Sequence, residues 1–297
     1  MTVDWSKRLL AVAGALGVSL TLAGPSDAFT FTQVGGFVLG TETSSAGPSP
    51  LDGIIFFGPV VSTTDGSSGI PSGLNTYSTI AWGRGSNAGV VSDLSQAPSF
   101  TTIPGPGPNS DKSALQFIGR NGTINVGETV VVSELFHRNQ AITAPDLQHV
   151  DIFSELSLFD GVTPVVVSKD NVPVEFHETP NAAPCNPSTQ ISGTACDDFF
   201  TFPLGTFASL HFTVGGDSFT LTFSTSCDTS DTSLARCDIP SLDDPSQGQI
   251  ITAEGRINHL LILMSLTQDD VQVPAPPALL LVVLGLGVAL VRRRRAA

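Results

Sequence analysis

From Phe29 onward the chain runs as short apolar stretches broken every few residues by Gly, Pro, Ser, Thr, Asn or Asp, and hardly a stretch keeps a helical period beyond two turns. That rhythm predicts an all-β fold, an antiparallel β-sandwich of jelly-roll type. The firmest strand is 150–159, where Ile152, Ser154, Leu156 and Leu158 face one side and Phe153, Glu155, Ser157 and Phe159 the other. Large apolar residues on both of its faces predict that its sheet packs against a second one. Its clearest companion is 128–136, dominated by Val and Thr. Further strands are predicted at 29–32, 54–57, 76–83, 172–176, 199–202, 208–214, 218–223 and 250–254, with Gly215-Gly216 as a hairpin turn. The run 260–264, inside a longer candidate strand 255–266, is read as a buried strand that closes the sandwich. Residues 97–111, rich in Pro and Gly, form a loop, and Asn121-Gly122-Thr123 is a turn before a strand.

The two ends follow different patterns. Lys7 and Arg8 precede an apolar or small stretch at 9–22, and Ser26-Asp27-Ala28 offers small residues where signal peptidase reads. Residues 1–28 therefore read as a secretory signal peptide with an N-terminal helix, cut between Ala28 and Phe29. At the other end residues 278–291 carry no polar side chain and are followed by Arg292, Arg293, Arg294 and Arg295. Such a stretch makes only ~21 Å of helix against a hydrocarbon core of ~30 Å, a marginal transmembrane helix. The arginines act as a stop-transfer signal and keep the C-terminus in the cytoplasm. Between the ends lies one exported domain, 29–272.

The order Val273-Pro274-Ala275-Pro276, apolar helix, arginine cluster resembles the PEP-CTERM sorting signal over 273–297, with Ala275 where the family motif carries glutamate. The resemblance implies a Gram-negative source, transient membrane insertion, and two partners during export: signal peptidase and an exosortase, a membrane enzyme of transpeptidase type. The exosortase would cut near the proline motif and pass the body to the cell surface or extracellular matrix. A second resemblance covers roughly 80–160. Trp82-Gly83, Ser113-Ala114-Leu115 before Phe117, Val126-Gly127-Glu128, and Leu135-Phe136-His137-Arg138-Asn139 are similar to the THxN family of PEP-CTERM proteins, with Phe136 at the threonine position. It implies an exported β-domain for surface display and carries over no catalytic residue. Read physically, His137 and Asn139 share one face of a strand end, where they can fix a connecting loop by hydrogen bonds.

Charge narrows the partners. With residues 1–28 and 273–297 set aside, seven basic side chains face twenty-five acidic ones, a net of −18. A phosphate backbone needs Lys and Arg to displace its counterions, so nucleic acid is excluded as a partner. The same charge keeps an exported protein dispersed.

The four cysteines, Cys185, Cys196, Cys227 and Cys237, lie in the exported part and suggest two disulfides. Local pairs Cys185–Cys196 and Cys227–Cys237 close short loops, while the nested pairing stays open. No Cys-x-x-Cys or nearby histidine supports zinc. Asp197, Asp198, Asp228, Asp231, Asp238, Asp243 and Asp244 gather beside the cysteines, which makes a weak extracellular calcium site an alternative to solvated loop acids.

No hydrolase elbow, zinc-protease helix, P-loop or dinucleotide glycine pattern is present, and Thr179-Pro180 directly after His177-Glu178 forbids a zinc-binding helix there. Trp82 and Tyr77 are the aromatic residues of the body with a polar tip, and they read as core or rim more readily than as a sugar platform. The expectation is a non-catalytic surface or matrix protein with no cofactor and no resident metal. The alternatives are a matrix module that binds extracellular polysaccharide or calcium, and a secreted hydrolase.

Overall fold

The computed structural model describes residues 28–44, 54–59, 76–83, 100, 112–142, 146–179, 185, 196–202, 208–228, 237–238 and 248–269. Every regular element among them is a strand, and all pairing is antiparallel. The first six are β1 (Ala28–Val38), β2 (Thr43–Ser44), β3 (Ile55–Pro59), β4 (Thr76–Trp82), β5 (Ser113–Gly119) and β6 (Asn121–Asn125). The long central strands are β7 (Thr129–Asn139), β8 (Leu147–Asp160) and β9 (Thr163–His177). Then come β10 (Asp198–Phe202), β11 (Leu210–Val214), β12 (Asp217–Cys227), β13 (Cys237–Asp238), β14 (Gly248–Thr252) and β15 (Arg256–Gln268). The predicted signal and sorting tail lie outside the described residues, apart from Ala28 and Phe29 at the start of β1. Among the described residues no helix is long and apolar enough to cross a membrane.

The antiparallel all-β class is as expected, but the hydrogen bonds follow one continuous path instead of delimiting two sheets. It runs β11-β12-β15-β7-β5-β4-β1-β8-β9-β10-β14-β13, with β2 on β8, β3 on β4 and β6 on β1. The path curls because two long pairs carry register shifts, between Ile262 and Leu263 of β15 and between Leu158 and Phe159 of β8. An extra residue on one strand bends it and increases its twist. Curling brings distant strands face to face: the Phe29 ring of β1 meets Phe219 of β12 edge-on at 5.3 Å and Phe212 of β11 at 5.6 Å.

Period-two alternation decides what lies inside. Phe29, Phe31 and Phe37 of β1, Val150, Ile152, Leu156 and Leu158 of β8, and Leu260, Met264 and Leu266 of β15 are all buried. They belong to two apolar clusters, one gathered around Trp82, Phe176 and Phe200, the other around Phe29, Phe219 and Leu266. Burial of this extent at ~25 cal/mol per Å² of apolar surface is the main force holding the curl. Gly119 is required by a close approach: a Cβ there would stand 2.0 Å from the Gln33 carbonyl oxygen.

Several boundaries move. The strand read at 172–176 is the end of β9, which starts at Thr163 and pairs with β8 over nearly its whole length. Asn121-Gly122-Thr123 lies within β6, and the turn follows at Gly127, whose φ is 83°. The run 260–264 sits in β15 between β12 and β7, a central strand and not a closing one. Gly215 and Gly216, at φ 62° and 100°, make the two-residue turn between Val214 and Asp217 as expected.

Candidate metal centre

Three acids meet at the ends of three neighbouring strands, and the same alternation that builds the core puts them there. Inward positions on β9 run Val172, Val174, Phe176, and the next in step is Glu178. On β10 the inward series Phe202, Phe200 leads back to Asp198, and on β14 Ile250 and Thr252 lead on to Glu254. Register completes the arrangement: His177 pairs with Phe199, and Asp198 with Thr252. One carboxylate oxygen from each of Glu178, Asp198 and Glu254 lies within 4.8 Å of the others.

A frame of hydrogen bonds fixes the surroundings and leaves the acids largely open. Thr179 donates its backbone N–H to Asp198 Oδ1 at 2.8 Å, and its hydroxyl lies 2.9 Å from the Cys196 carbonyl and 3.2 Å from the same Oδ1. The Glu254 N–H donates to Asp197 Oδ1 at 3.0 Å. Asn258 holds the β14–β15 turn by accepting from Ala253 N–H at 2.8 Å and donating to its carbonyl at 3.1 Å. No donor stands in good hydrogen-bond geometry to either oxygen of Glu178 or Glu254 or to Asp198 Oδ2, although the Trp82 indole N–H, the Gly255 N–H and the Asn139 amide lie near them. Two other buried acids are paired: Glu134 with Arg120 and with His259 at 3.0 Å, and Glu155 with Lys169 at 3.2 Å.

The electrostatic consequence is a set of carboxyls that hold their protons. Burial first, then the charges of Asp198, Glu254 and Asp146, pushes Glu178 far above the usual carboxylate range against the pull of the Trp82 indole N–H. Burial also raises Asp198, opposed by hydrogen bonds from Thr179, Glu178 and Asn139. Glu254 is pushed up to about 8 by burial and by the charges of Asp198 and Asp197. Three like charges this close cannot all ionise unless something positive joins them. A shared proton between Glu178 and Asp198 is one solution, and a cation held by Glu178, Asp198 and Glu254 is the other.

His137 and Asn139, at the end of β7, both reach Thr252 of β14. His137 Nδ1 lies 2.8 Å from the Thr252 hydroxyl, which donates onward to the Asp198 carbonyl at 3.2 Å, so the imidazole is the donor and carries its hydrogen on Nδ1. Burial among Trp82, Phe176 and Phe200 lowers its pKa to about 3 and keeps it neutral. Asn139 Nδ2 donates to the Thr252 carbonyl at 3.0 Å, while Asn139 Oδ1 is buried without a partner. The pair thus anchors β14, the strand that leads to Glu254.

Of the other residues singled out in the sequence, Ala28 opens β1 opposite Asn125, and Phe29 is buried beside it. Cys185 and Cys196 form a disulfide with Cα atoms 5.0 Å apart. Cys227 is also disulfide-bonded, and the side chain of Cys237 lies outside the described residues. Val273, Pro274, Ala275, Pro276 and Arg292 to Arg295 lie outside them too. Of the acids grouped with the cysteines, Asp198 enters the centre and Asp197 braces it, whereas Asp228 stands 2.9 Å from His259. Trp82 is fully enclosed, and Tyr77 packs on Phe56 at 5.4 Å. Glu178 and Glu254 were not among the predicted ligands; what marks them is that each extends a buried inward series by one step of two. No protein-family model matches the chain, and no curated protein matches it.

Proposed function

We propose that this chain is an exported, non-catalytic β-domain displayed at the cell surface or in the extracellular matrix, carried there by its N-terminal signal and released through its C-terminal sorting tail. The observation that carries this reading is the cysteine chemistry. Cys185 is bonded to Cys196, Cys227 is disulfide-bonded, and no free cysteine stands among the described residues. Disulfides persist in oxidising compartments and are reduced in the cytosol. The curled sheet serves as a jelly-roll-like sandwich, with β1 and β8 facing β11, β12 and β15 across the core. His137, the family-like residue, is neutral and holds Thr252 through Nδ1, which suits a scaffold. Of the two ligand classes open to a matrix module, a cation has a set of oxygens waiting for it, while stacking of a sugar on Trp82 has no exposed ring face.

The test is the intact mass of the protein recovered from its own cells. A mature chain beginning at Phe29 and ending between Val273 and Pro277 fits the proposal. A chain that keeps its arginine tail, or its thiols free, contradicts it.

A further inference from the structure

We propose that Glu178, Asp198 and Glu254, completed by the side-chain oxygen of Asn139, form a calcium site that fastens β7, β9, β10 and β14 together at one end of the curled sheet. The first ground is geometric. The acids come from three adjacent strand ends, on inward positions, with one oxygen from each within 4.8 Å of the others. Opposite ligands of a calcium ion at ~2.4 Å stand about that far apart. Each acid presents oxygen atoms without a hydrogen bond, whereas among the described residues buried Glu134 faces Arg120 and His259 and buried Glu155 faces Lys169. Buried charge without a partner costs several kcal/mol in general, and folded proteins supply a counter-ion or a metal.

The second ground is Asn139, which is not an acid. Its side chain is 0 % exposed and reaches Asp198, its Nδ2 is committed to the Thr252 carbonyl at 3.0 Å, and its Oδ1 has no partner. A buried amide oxygen with no donor is costly, and a cation at this end of the strands would satisfy it together with the acids. Carboxylate and amide oxygens are hard ligands, and nothing soft stands in the set, which selects calcium or magnesium over zinc or copper. Magnesium keeps several waters in a strict octahedron, whereas calcium takes protein oxygens in irregular number and geometry, as a set drawn from four strands provides.

The site stands on this centre alone and does not depend on export. Its consequence for an exported protein is specific: the ion would be scarce while the chain is inside the cell and abundant once it is out, so the β9–β10–β14 end would lock after translocation.

The full-length chain, stripped with EDTA, is titrated with terbium while luminescence is excited through tryptophan. Trp82 lies beside Glu178, and the second of the two tryptophans is Trp5, within the predicted signal. The expected result is sensitised emission that saturates at one terbium per chain and is displaced by calcium at about 1 mM or below, the range of extracellular sites. Calcium at a hundredfold excess over its Kd raises Tm by about 5–10 °C. Glu254→Gln keeps shape and hydrogen-bonding capacity, stays folded in EDTA by circular dichroism, and weakens both responses at least about tenfold. Asp170→Asn, at an exposed acid of β9 outside the centre, leaves them unchanged. Absence of sensitised emission from a folded chain, or a calcium response intact in Glu254→Gln, overturns the site.

Discussion

Thr179 donates its backbone N–H to one oxygen of Asp198 at 2.8 Å and brings its hydroxyl, whose single hydrogen is shared with the Cys196 carbonyl, to 3.2 Å from the same atom, while the other oxygen has no such donor. The residue thereby aims the carboxylate, and its hydroxyl also reaches the carbonyl of Cys196, at the foot of the stapled loop. Thr179→Val keeps the N–H and the shape but removes the hydroxyl. Chemical denaturation in EDTA should show a loss of about 1 kcal/mol, the worth of one such hydrogen bond, and calcium affinity should fall with it. An unchanged affinity would mean that Asp198 needs no aiming.

Glu254 makes the cation-free chain sensitive to alkali. Its pKa in the folded chain is about 8 against an ordinary value of 4.5. Between those values the unfolded chain has shed the proton and the folded chain still binds it, so stability declines as pH rises through this window and levels off above it. Glu254→Gln has no proton to lose. Denaturation midpoints measured in EDTA at pH 5 and pH 8 should fall less in the variant than in the parent; equal falls would refute the assignment.

His137 acts on the acid side. Its pKa is about 3 when folded and 6.5 when free, so between those values the unfolded chain takes up a proton that the folded chain refuses. Stability therefore drops as pH falls from 6.5 toward 3. His137→Phe leaves an aromatic ring among Trp82, Phe176 and Phe200, and the Thr252 hydroxyl keeps its bond to the Asp198 carbonyl. Thermal melts across this pH range should be flatter for the variant than for the parent.

The Cys185–Cys196 bond joins positions 11 residues apart, with Glu178 before the loop and Asp198 just after it. Closing a loop of that size stabilises by roughly 2–4 kcal/mol through the unfolded chain. The double change Cys185→Ser and Cys196→Ser should lower the urea midpoint accordingly and weaken calcium binding as the two flanking ligands loosen. A lower midpoint with full calcium affinity would separate the staple from the site.

Most strands were legible because burial on a sheet face leaves a period-two record. The strand predicted at 150–159 is the heart of β8, and the glycine pair at 215–216 is a turn because both residues need positive φ. The first half of β9 was hidden: Pro164 and the polar run Ser168-Lys169-Asp170-Asn171 break the apolar pattern, and pairing with β8 holds that half in place. Nor does local pattern say whether strands belong to one sheet or two, since that depends on which distant edges join, such as β15 on β7. The centre was half visible. Asp198 stood among the acids beside the cysteines, but Glu178 and Glu254 are 76 positions apart in number and become neighbours only through the registers of β9, β10 and β14. Each carries the same local sign, an acid one inward step beyond a buried strand series, and that sign gains meaning when the strands are known to be adjacent.

Isothermal titration calorimetry of calcium into the EDTA-stripped full-length chain tests the centre most directly. One ion per chain, bound with a Kd at or below about 1 mM and lost in Glu254→Gln, is the predicted result. A folded chain that gives no heat of binding at several millimolar calcium would contradict it, and the three acids would then be held together by shared protons alone.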